Sequence, residues 1–138
     1  GVTDPLGLIV GFFQNVRDSN LAVDAFWLRG IDICAPSDPC RVDTIAGSPS
    51  GAGGPSAGTI VRCNTTGTDC TLRKSETDSA SGYGYNAALP LTKFTRTVVV
   101  DDRAGNADEA QIVVKVTWTN GTIQNEILYE NEIFNIKK

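Results

Sequence analysis

The stretch "VKVTWTNGTIQNEILY", Val114 to Tyr129, is the part of the chain whose structure can be interpreted most directly. Apolar and polar residues alternate as far as Asn120-Gly121, and the alternation resumes beyond it. This pattern is typical of two antiparallel strands joined by a two-residue turn, a position at which Asn-Gly is strongly preferred. The sequence therefore predicts a β-hairpin with its turn at Asn120-Gly121.

The turn determines which residues of the two strands lie opposite each other. With Asn120-Gly121 as the turn, four pairs share one face of the hairpin: Trp118 with Ile123, Val116 with Asn125, Val114 with Ile127, and Ile112 with Tyr129. The other face carries Lys115 opposite Glu126, a favourable pair of opposite charges. The first face is nearly all apolar and requires a cover. If Trp118 belongs to the core, Trp118→Ala should cost about 3–5 kcal/mol, whereas Lys115→Ala should cost under about 1 kcal/mol.

The hairpin continues a longer run of predicted strands. The segments "FTRTVVVD" (Phe94 to Asp101), "QIVVKVTWT" (Gln111 to Thr119) and "TIQNEILYENEIF" (Thr122 to Phe134) are rich in β-branched and aromatic residues. They predict an antiparallel meander over residues 91–136.

The N-terminal part of the chain has the apolar spacing of a helix. Asp4-Pro5 is a typical helix start, and the apolar positions then recur at a spacing of 3.6 residues: Leu6, Ile9, Val10, Phe13 and Val16. No other predicted amphipathic helix is long enough to cover the meander.

The middle of the chain lacks such patterns. The run "AGSPSGAGGPSAGT" (Ala46 to Thr59) consists almost wholly of small residues and proline, which predicts a long exposed loop. The predicted fold class is therefore α+β, with an N-terminal helix packed on a C-terminal antiparallel β-meander and a disulfide-tied loop region between them. We expect a single domain over residues 2–138, helical over 2–30, loop-rich and variable over 31–90, and an antiparallel sheet over 91–136.

Four cysteines, Cys34, Cys40, Cys63 and Cys70, lie in this middle region. An even number of cysteines in a small acidic chain is typical of an exported disulfide protein, and four cysteines allow three pairings. We favour Cys34–Cys40 and Cys63–Cys70, because each pair lies in a turn-rich segment that can fold back locally. A zinc site is the less favoured interpretation, since the spacings are not those of C-x-x-C motifs. Free thiols in a reducing compartment are the other alternative.

Composition excludes several classes of function. The net charge is −4, from 12 basic and 16 acidic side chains, and the basic residues are scattered, which argues against nucleic acid as a partner. Histidine is absent, so no Ser-His-Asp or Cys-His nucleophile can form. Methionine is absent as well, which suggests a mature or truncated chain. No apolar run approaches the roughly 18 residues that a membrane span needs.

Two further groups of residues are candidates for binding. Tyr83 and Tyr85 lie among small residues in "SGYGYN", where packing onto the sheet is the favoured interpretation and a platform for a ligand or partner is the alternative. The segment "DDRAGNADE" contains four oxygen-rich candidates for a calcium site: Asp101, Asp102, Asn106 and Asp108. The spacing does not match an EF-hand, so an acidic solvated loop is the favoured interpretation, and no cofactor is expected apart from this weak calcium candidate.

Several segments resemble the soluble domain of type IV minor pilins and type II secretion pseudopilins. "FTRTVVVDD", "AQIVVKVTWTNG" and "IQNEILYENEIFN" are similar to the C-terminal strands of prepilin-type proteins, and "NVRDSN" (Asn15 to Asn20) is similar to a helix segment in some of them. The similarity covers roughly 50 of the 138 residues. Family members begin with a long apolar helix, with a glutamate near its start, that anchors the subunit in the membrane and packs in the filament core. This sequence lacks that helix, and its four cysteines differ from the usual single C-terminal pair.

The resemblance implies a structural subunit of a type IV pilus or pseudopilus, acting in filament assembly, adhesion or secretion, with no catalytic residue. Its partners would be other pilin or pseudopilin subunits and a surface ligand, with membrane contact only through the N-terminal helix that is absent here. Its location would be a bacterial cell-surface filament or the periplasm. The alternative is a stand-alone exported β-rich module that is adhesive or binds carbohydrate. An enzyme is the third hypothesis, and no motif supports it.

Overall fold

The computed structural model describes residues 9–23, 26–43, 60–75, 77, 83–101 and 108–136. Within these ranges the chain forms helix α1 (Ile9–Ala22) and strands β1 (Cys40–Val42), β2 (Ile60–Arg62), β3 (Thr71–Arg73), β4 (Leu91–Asp101), β5 (Glu109–Asn120) and β6 (Ile123–Phe134). All strand pairs are antiparallel, and the order across the sheet is β2-β1-β4-β5-β6, with β3 also paired to β4. The predicted helix start at Asp4-Pro5 lies outside the described residues.

The predicted fold class, an N-terminal helix packed on a C-terminal meander, is wrong. The described part of the chain is mostly an antiparallel sheet of six strands, accompanied by a helix of 14 residues. Three of the strands, β1, β2 and β3, lie in the region 31–90 that the sequence assigned to loops. Each of them has 3 residues, which is too short for an apolar–polar alternation to be recognised. The sheet is therefore wider than the meander alone.

The core lies on one face of the sheet, which we call the core face. It is formed by side chains of α1, the segment after it, the first disulfide loop and strands β1, β2, β4, β5 and β6: Ile9, Phe12, Phe13, Val16, Trp27, Leu28, Ile31, Cys34, Cys40, Val42, Ile60, Val98, Val100, Ala110, Ile112, Val114 and Ile133. The opposite face, which we call the outer face, carries Val99, Val113 and Lys115. These side chains are half-buried or exposed.

The register of the β5–β6 hairpin also differs from the prediction. Asn120 pairs with Ile123, so the turn residues are Gly121 and Thr122 rather than Asn120 and Gly121. Gly121 has a φ of 64°, and glycine at the first turn position is the preference of a type II′ turn, because it adopts positive φ without a steric cost.

Every predicted pair is consequently shifted by two residues along β6. Val116 lies opposite Ile127, and Val114 lies opposite Tyr129. The shift is even, so each side chain keeps the face that the alternation predicted. Lys115 lies opposite Leu128, and the predicted pair with Glu126 is wrong because Glu126 lies opposite Thr117.

A buried arginine connects the helix to the end of β6. Arg17 is 1% exposed, and its Nη1 donates a hydrogen bond to the carbonyl oxygen of Phe134 at 3.2 Å. Its Nε lies 3.1 Å from the carboxylate of Asp18, which offsets part of the cost of burying the charge. The C-terminal end of β6 is thus held against α1, where Ile133 is buried.

Candidate interaction surface

Strand β6 forms an edge of the sheet. It is paired with β5 at every position from Ile123 to Phe134, without a bulge, and no strand pairs with its other side in the part of the chain that the structure describes. In antiparallel pairs, successive residues direct their backbone N–H and C=O groups to opposite sides. Because Asn120 and Ile123 close a two-residue turn and exchange both bonds, Gln124, Glu126, Leu128 and Glu130 direct theirs away from β5.

Large apolar side chains are exposed along β6 and directly after it. We call this set the β6 apolar band, and it comprises Ile123, Ile127, Leu128, Tyr129, Phe134 and Ile136. Val114 and Val116 on β5 are each 1% exposed, whereas their partners Tyr129 and Ile127 on the same face are 43% and 44% exposed. Over this part of the strand the cover of the core face therefore ends between β5 and β6, whereas Ile133 near the C-terminal end of β6 is buried.

The charge on β6 has one sign. Every charged residue between Ile123 and Phe134 is a glutamate, namely Glu126, Glu130 and Glu132, and all three belong to the outer face by their even spacing. Glu130 accepts a hydrogen bond from Gln111 at 2.9 Å. Lys115 lies on the adjacent strand, opposite Leu128. The strand thus has an apolar core face and an acidic outer face.

Tyr83, one of the two predicted binding residues, packs on the sheet. Its ring meets that of Phe94 edge-on, with centroids 5.8 Å apart, and Phe94 in turn lies 5.6 Å from Trp118. The ammonium group of Lys74 lies 6.0 Å from the Tyr83 ring. This row of aromatic rings continues the core face beyond the main cluster, so packing explains the position of Tyr83.

Tyr85 is held between two arginines. The guanidinium groups of Arg41 and Arg96 lie 5.0 and 5.8 Å from its ring centroid. Arg96 is buried and donates hydrogen bonds to the Tyr85 hydroxyl at 3.5 Å and to the Val42 carbonyl at 2.7 Å. Burial raises the pKa of the Tyr85 phenol above its ordinary value of 10.0, although the charges of Arg96 and Arg41 act to lower it. The arrangement fixes the ring, and sequence reasoning missed both arginines because they are distant along the chain.

The acidic connection between β4 and β5 is described only at its ends. Asp101 ends β4, and Asp108 precedes β5, whereas the other two calcium candidates, Asp102 and Asn106, lie outside the described residues. Asp108 accepts hydrogen bonds from the backbone and side chain of Asn135, at 2.9 and 3.1 Å. Among the residues that the structure describes, no group of three His, Cys, Asp or Glu side chains could hold a metal ion. The calcium site stays a prediction.

A cavity of about 330 Å³ lies on the outer face, beneath the first disulfide loop. It is lined by Pro36, Pro39, Thr65, Thr97, Val99, Asp101, Val113, Lys115 and Leu128. Its walls come from separate strands and loops, so no local sequence pattern could predict it. Leu128 joins it to the β6 edge.

The two disulfides indicate the environment in which the domain resides. Cys34 is bonded to Cys40, and Cys63 to Cys70, which is the pairing favoured from the sequence. Two disulfides indicate an oxidising, extracytoplasmic environment. The helix in the described residues is too short to cross a membrane.

Comparison of the chain with protein-family models, with curated proteins and with solved structures found no match. The resemblance to pilins and pseudopilins therefore stays a prediction from the residues that carry it. The β6 apolar band was not predicted as a surface, because the alternation indicated an apolar face without indicating where its cover ends.

Proposed function

We propose that this chain is a non-enzymatic structural subunit of a type IV pilus or type II secretion pseudopilus, located in a bacterial cell-surface filament or the periplasm. Its work would be filament assembly, and through assembly adhesion or secretion. The observation that carries the proposal is the β6 apolar band, a set of exposed apolar side chains along one strand of a domain that contains two disulfides.

The band has the composition of a protein contact. Single exposed apolar residues are normal, but a group of them next to polar residues is typical of an interaction site. Within the band, Ile123, Ile127 and Tyr129 lie on the core face, whereas Leu128 and Phe134 lie on the outer face. The band contains two aromatic residues, Tyr129 and Phe134, together with three isoleucines and a leucine, and aromatic residues are enriched in interface cores. Burying it against a neighbouring subunit would contribute about 25 cal/mol for each Å² of apolar surface removed from water. The partners would be other pilin or pseudopilin subunits.

The proposal is tested by measuring whether the chain is present in isolated filaments. Ile127→Glu places a charge in the middle of the band, and Leu91→Glu places one at a strand residue of matched exposure, 45% against 44%, away from β6. Each variant is expressed in the encoding bacterium, and sheared surface filaments are separated from cells and probed with an antibody. We expect the wild type and Leu91→Glu in the filament fraction and Ile127→Glu outside it. A wild-type chain that is missing from filament and pseudopilus fractions alike contradicts the proposal.

A second candidate function is a stand-alone exported module that is adhesive or binds carbohydrate. Two observations favour it: the predominance of sheet over helix in the described residues, and the cavity beneath the first disulfide loop. The test is binding of the purified chain to an array of immobilised glycans. Binding that is lost in Lys115→Ala, where the side chain lines the cavity, would support this candidate. Absence of binding to every glycan would count against it.

A further inference from the structure

We propose that β6 binds an extended segment of another protein as an additional antiparallel or parallel strand, and that this segment alternates apolar and basic residues. The proposal rests on the proposed function in one respect, since both place the partner contact on β6. It goes further by naming the backbone as the recognition element and by stating the chemistry of the partner.

The backbone of β6 supplies the first argument. Its outward N–H and C=O groups lie at Gln124, Glu126, Leu128 and Glu130, in the middle of a strand of 12 residues. An edge of this kind is a template for strand addition, in which main-chain hydrogen bonds give affinity and alternate side chains give specificity. The uninterrupted pairing with β5 keeps the strand regular along its whole length.

The side chains supply the second argument. An added strand would extend both faces of the sheet. On the core face it would meet Ile123, Ile127 and Tyr129, which are exposed and apolar. On the outer face it would meet Glu126 and Glu130 on either side of Leu128. A segment with apolar residues on one side and lysine or arginine on the other matches both faces.

A second copy of this chain fits the edge poorly. Two β6 strands related by a two-fold axis pair residues of the same face, so a register centred on Leu128 sets Glu126 opposite Glu130. A register centred on Glu126 sets Glu126 opposite its own copy, and a register centred on Glu130 does the same for Glu130. The register centred on Ile127 sets Glu126 opposite Leu128 of the other copy. Glu126 is then diagonal to Glu126 and Glu130 of that copy. Like charges therefore oppose self-pairing, and the same charges attract a basic segment.

The experiment uses the purified oxidised chain and two synthetic peptides of identical composition, both acetylated at the N-terminus and amidated at the C-terminus. One peptide alternates lysine and valine, and the other has the lysines and valines in separate blocks. Binding is followed by backbone amide NMR, and protection of the outward amides by hydrogen exchange. We expect the alternating peptide alone to slow exchange at Glu126, Leu128 and Glu130, and its binding to weaken as salt is added.

Two variants separate the backbone from the charge. Leu128→Pro removes an outward N–H without removing a bond to β5, and it should abolish binding. Glu126→Lys should weaken binding by about tenfold or more, whereas Asp32→Lys makes the same change in net charge at an exposed site outside the sheet and should leave binding unchanged. If circular dichroism shows that Leu128→Pro does not fold, the comparison of Glu126→Lys with Asp32→Lys still tests whether the peptide binds at the acidic edge of β6.

Three results would overturn the inference. The first is equal binding of the two peptides, and the second is protection of amides elsewhere than on β6. The third is slow exchange at the outward amides in the absence of peptide, together with a dimer in sedimentation. That third result would identify a second copy of the chain as the occupant of the edge. The filament test is independent of these. Loss of Ile127→Glu from filaments with no binding of the alternating peptide retains the proposed function and rejects strand addition. Binding of the alternating peptide by a chain that never enters filaments retains strand addition and rejects the proposed function.

Discussion

The β6 apolar band can be separated from the core by comparing two residues that lie opposite each other. Val116 on β5 and Ile127 on β6 are cross-strand partners on the same face, but Val116 is 1% exposed and Ile127 is 44% exposed. Replacing each by alanine removes apolar atoms from adjacent positions. The loss of β-propensity is similar in the two variants and largely cancels in the comparison.

The burial of each side chain sets the expected cost. Val116→Ala removes two methyl groups from a filled core and leaves a cavity, which should cost about 2–3 kcal/mol. Ile127→Ala removes more atoms, but nearly half of that side chain already contacts water and no cavity forms, so about 1 kcal/mol is expected. The smaller residue should therefore be the more important one for the stability of the domain.

Urea unfolding of the oxidised domain, followed by tryptophan fluorescence, measures both values. With a slope of about 1–3 kcal/mol per molar urea, Val116→Ala should lower the midpoint by about 1–2 M and Ile127→Ala by clearly less. The slopes themselves should stay equal to that of the wild type. If Ile127→Ala lowers the midpoint as much as Val116→Ala, Ile127 is part of the core, and the interpretation of the band as a contact surface is refuted.

Three further predictions follow from local geometry. Gly121→Ala should lower the free energy of unfolding in urea by about 1 kcal/mol, because a φ of 64° disfavours any side chain. No atom lies within 4 Å of the added Cβ, so a steric clash is not the cause. The control, Asn120→Ala, should cost less than half as much. Trp118→Ala should cost about 2 kcal/mol rather than the 3–5 expected for a core residue, since the ring is half-buried; a larger loss would contradict this packing. Burial raises the pKa of Tyr85 in the folded chain, so above about pH 10 the unfolded chain loses this proton first and stability should fall as pH rises. Tyr85→Phe should reduce that fall, as measured by urea unfolding at several pH values.

The hairpin shows what alternation can and cannot predict. The period of two residues assigned each side chain of β5 and β6 to the correct face. The register depends on the turn, and Asn-Gly and Gly-Thr are both acceptable two-residue turns for the same flanking strands. A shift of two residues preserves the faces, so the apolar pattern could not exclude it. The predicted charge pair of Lys115 and Glu126 was lost for this reason.

The short strands show a different limit. β1 and β3 each pair with β4, and their pairing depends on residues that are distant in sequence. A segment of 3 residues carries too little local pattern to reveal such a partner. The disulfide pairing could be predicted because each bridge closes a short loop, with separations of 6 and 7 residues.

The extent of the cover over the core face was also not predictable. A helix is about 10 Å wide and neighbouring strands are about 4.8 Å apart, so one helix covers roughly two strands of a sheet. In the described residues, the core cluster that contains α1 and the segment after it also contains side chains of β1, β2, β4 and β5, whereas from β6 it contains only Ile133. Composition alone could not assign β6 to the uncovered side.

The chemistry of β6 explains why an exposed edge of this length could be retained. Natural sheets protect their edges with short strands, bulges, lysine or proline. β6 has 12 residues, pairs with β5 without a bulge, and contains neither lysine nor proline. Its protection is instead Glu126, Glu130 and Glu132, which oppose pairing with an identical strand but not with a basic one. In the proposed strand addition, these charges would oppose a second copy and favour a basic partner, and this selectivity would be lost if the glutamates were replaced by glutamine. The triple glutamine variant should accordingly self-associate at concentrations where the wild type sediments as a monomer, and a triple variant that remains monomeric would show that the glutamates have no such role.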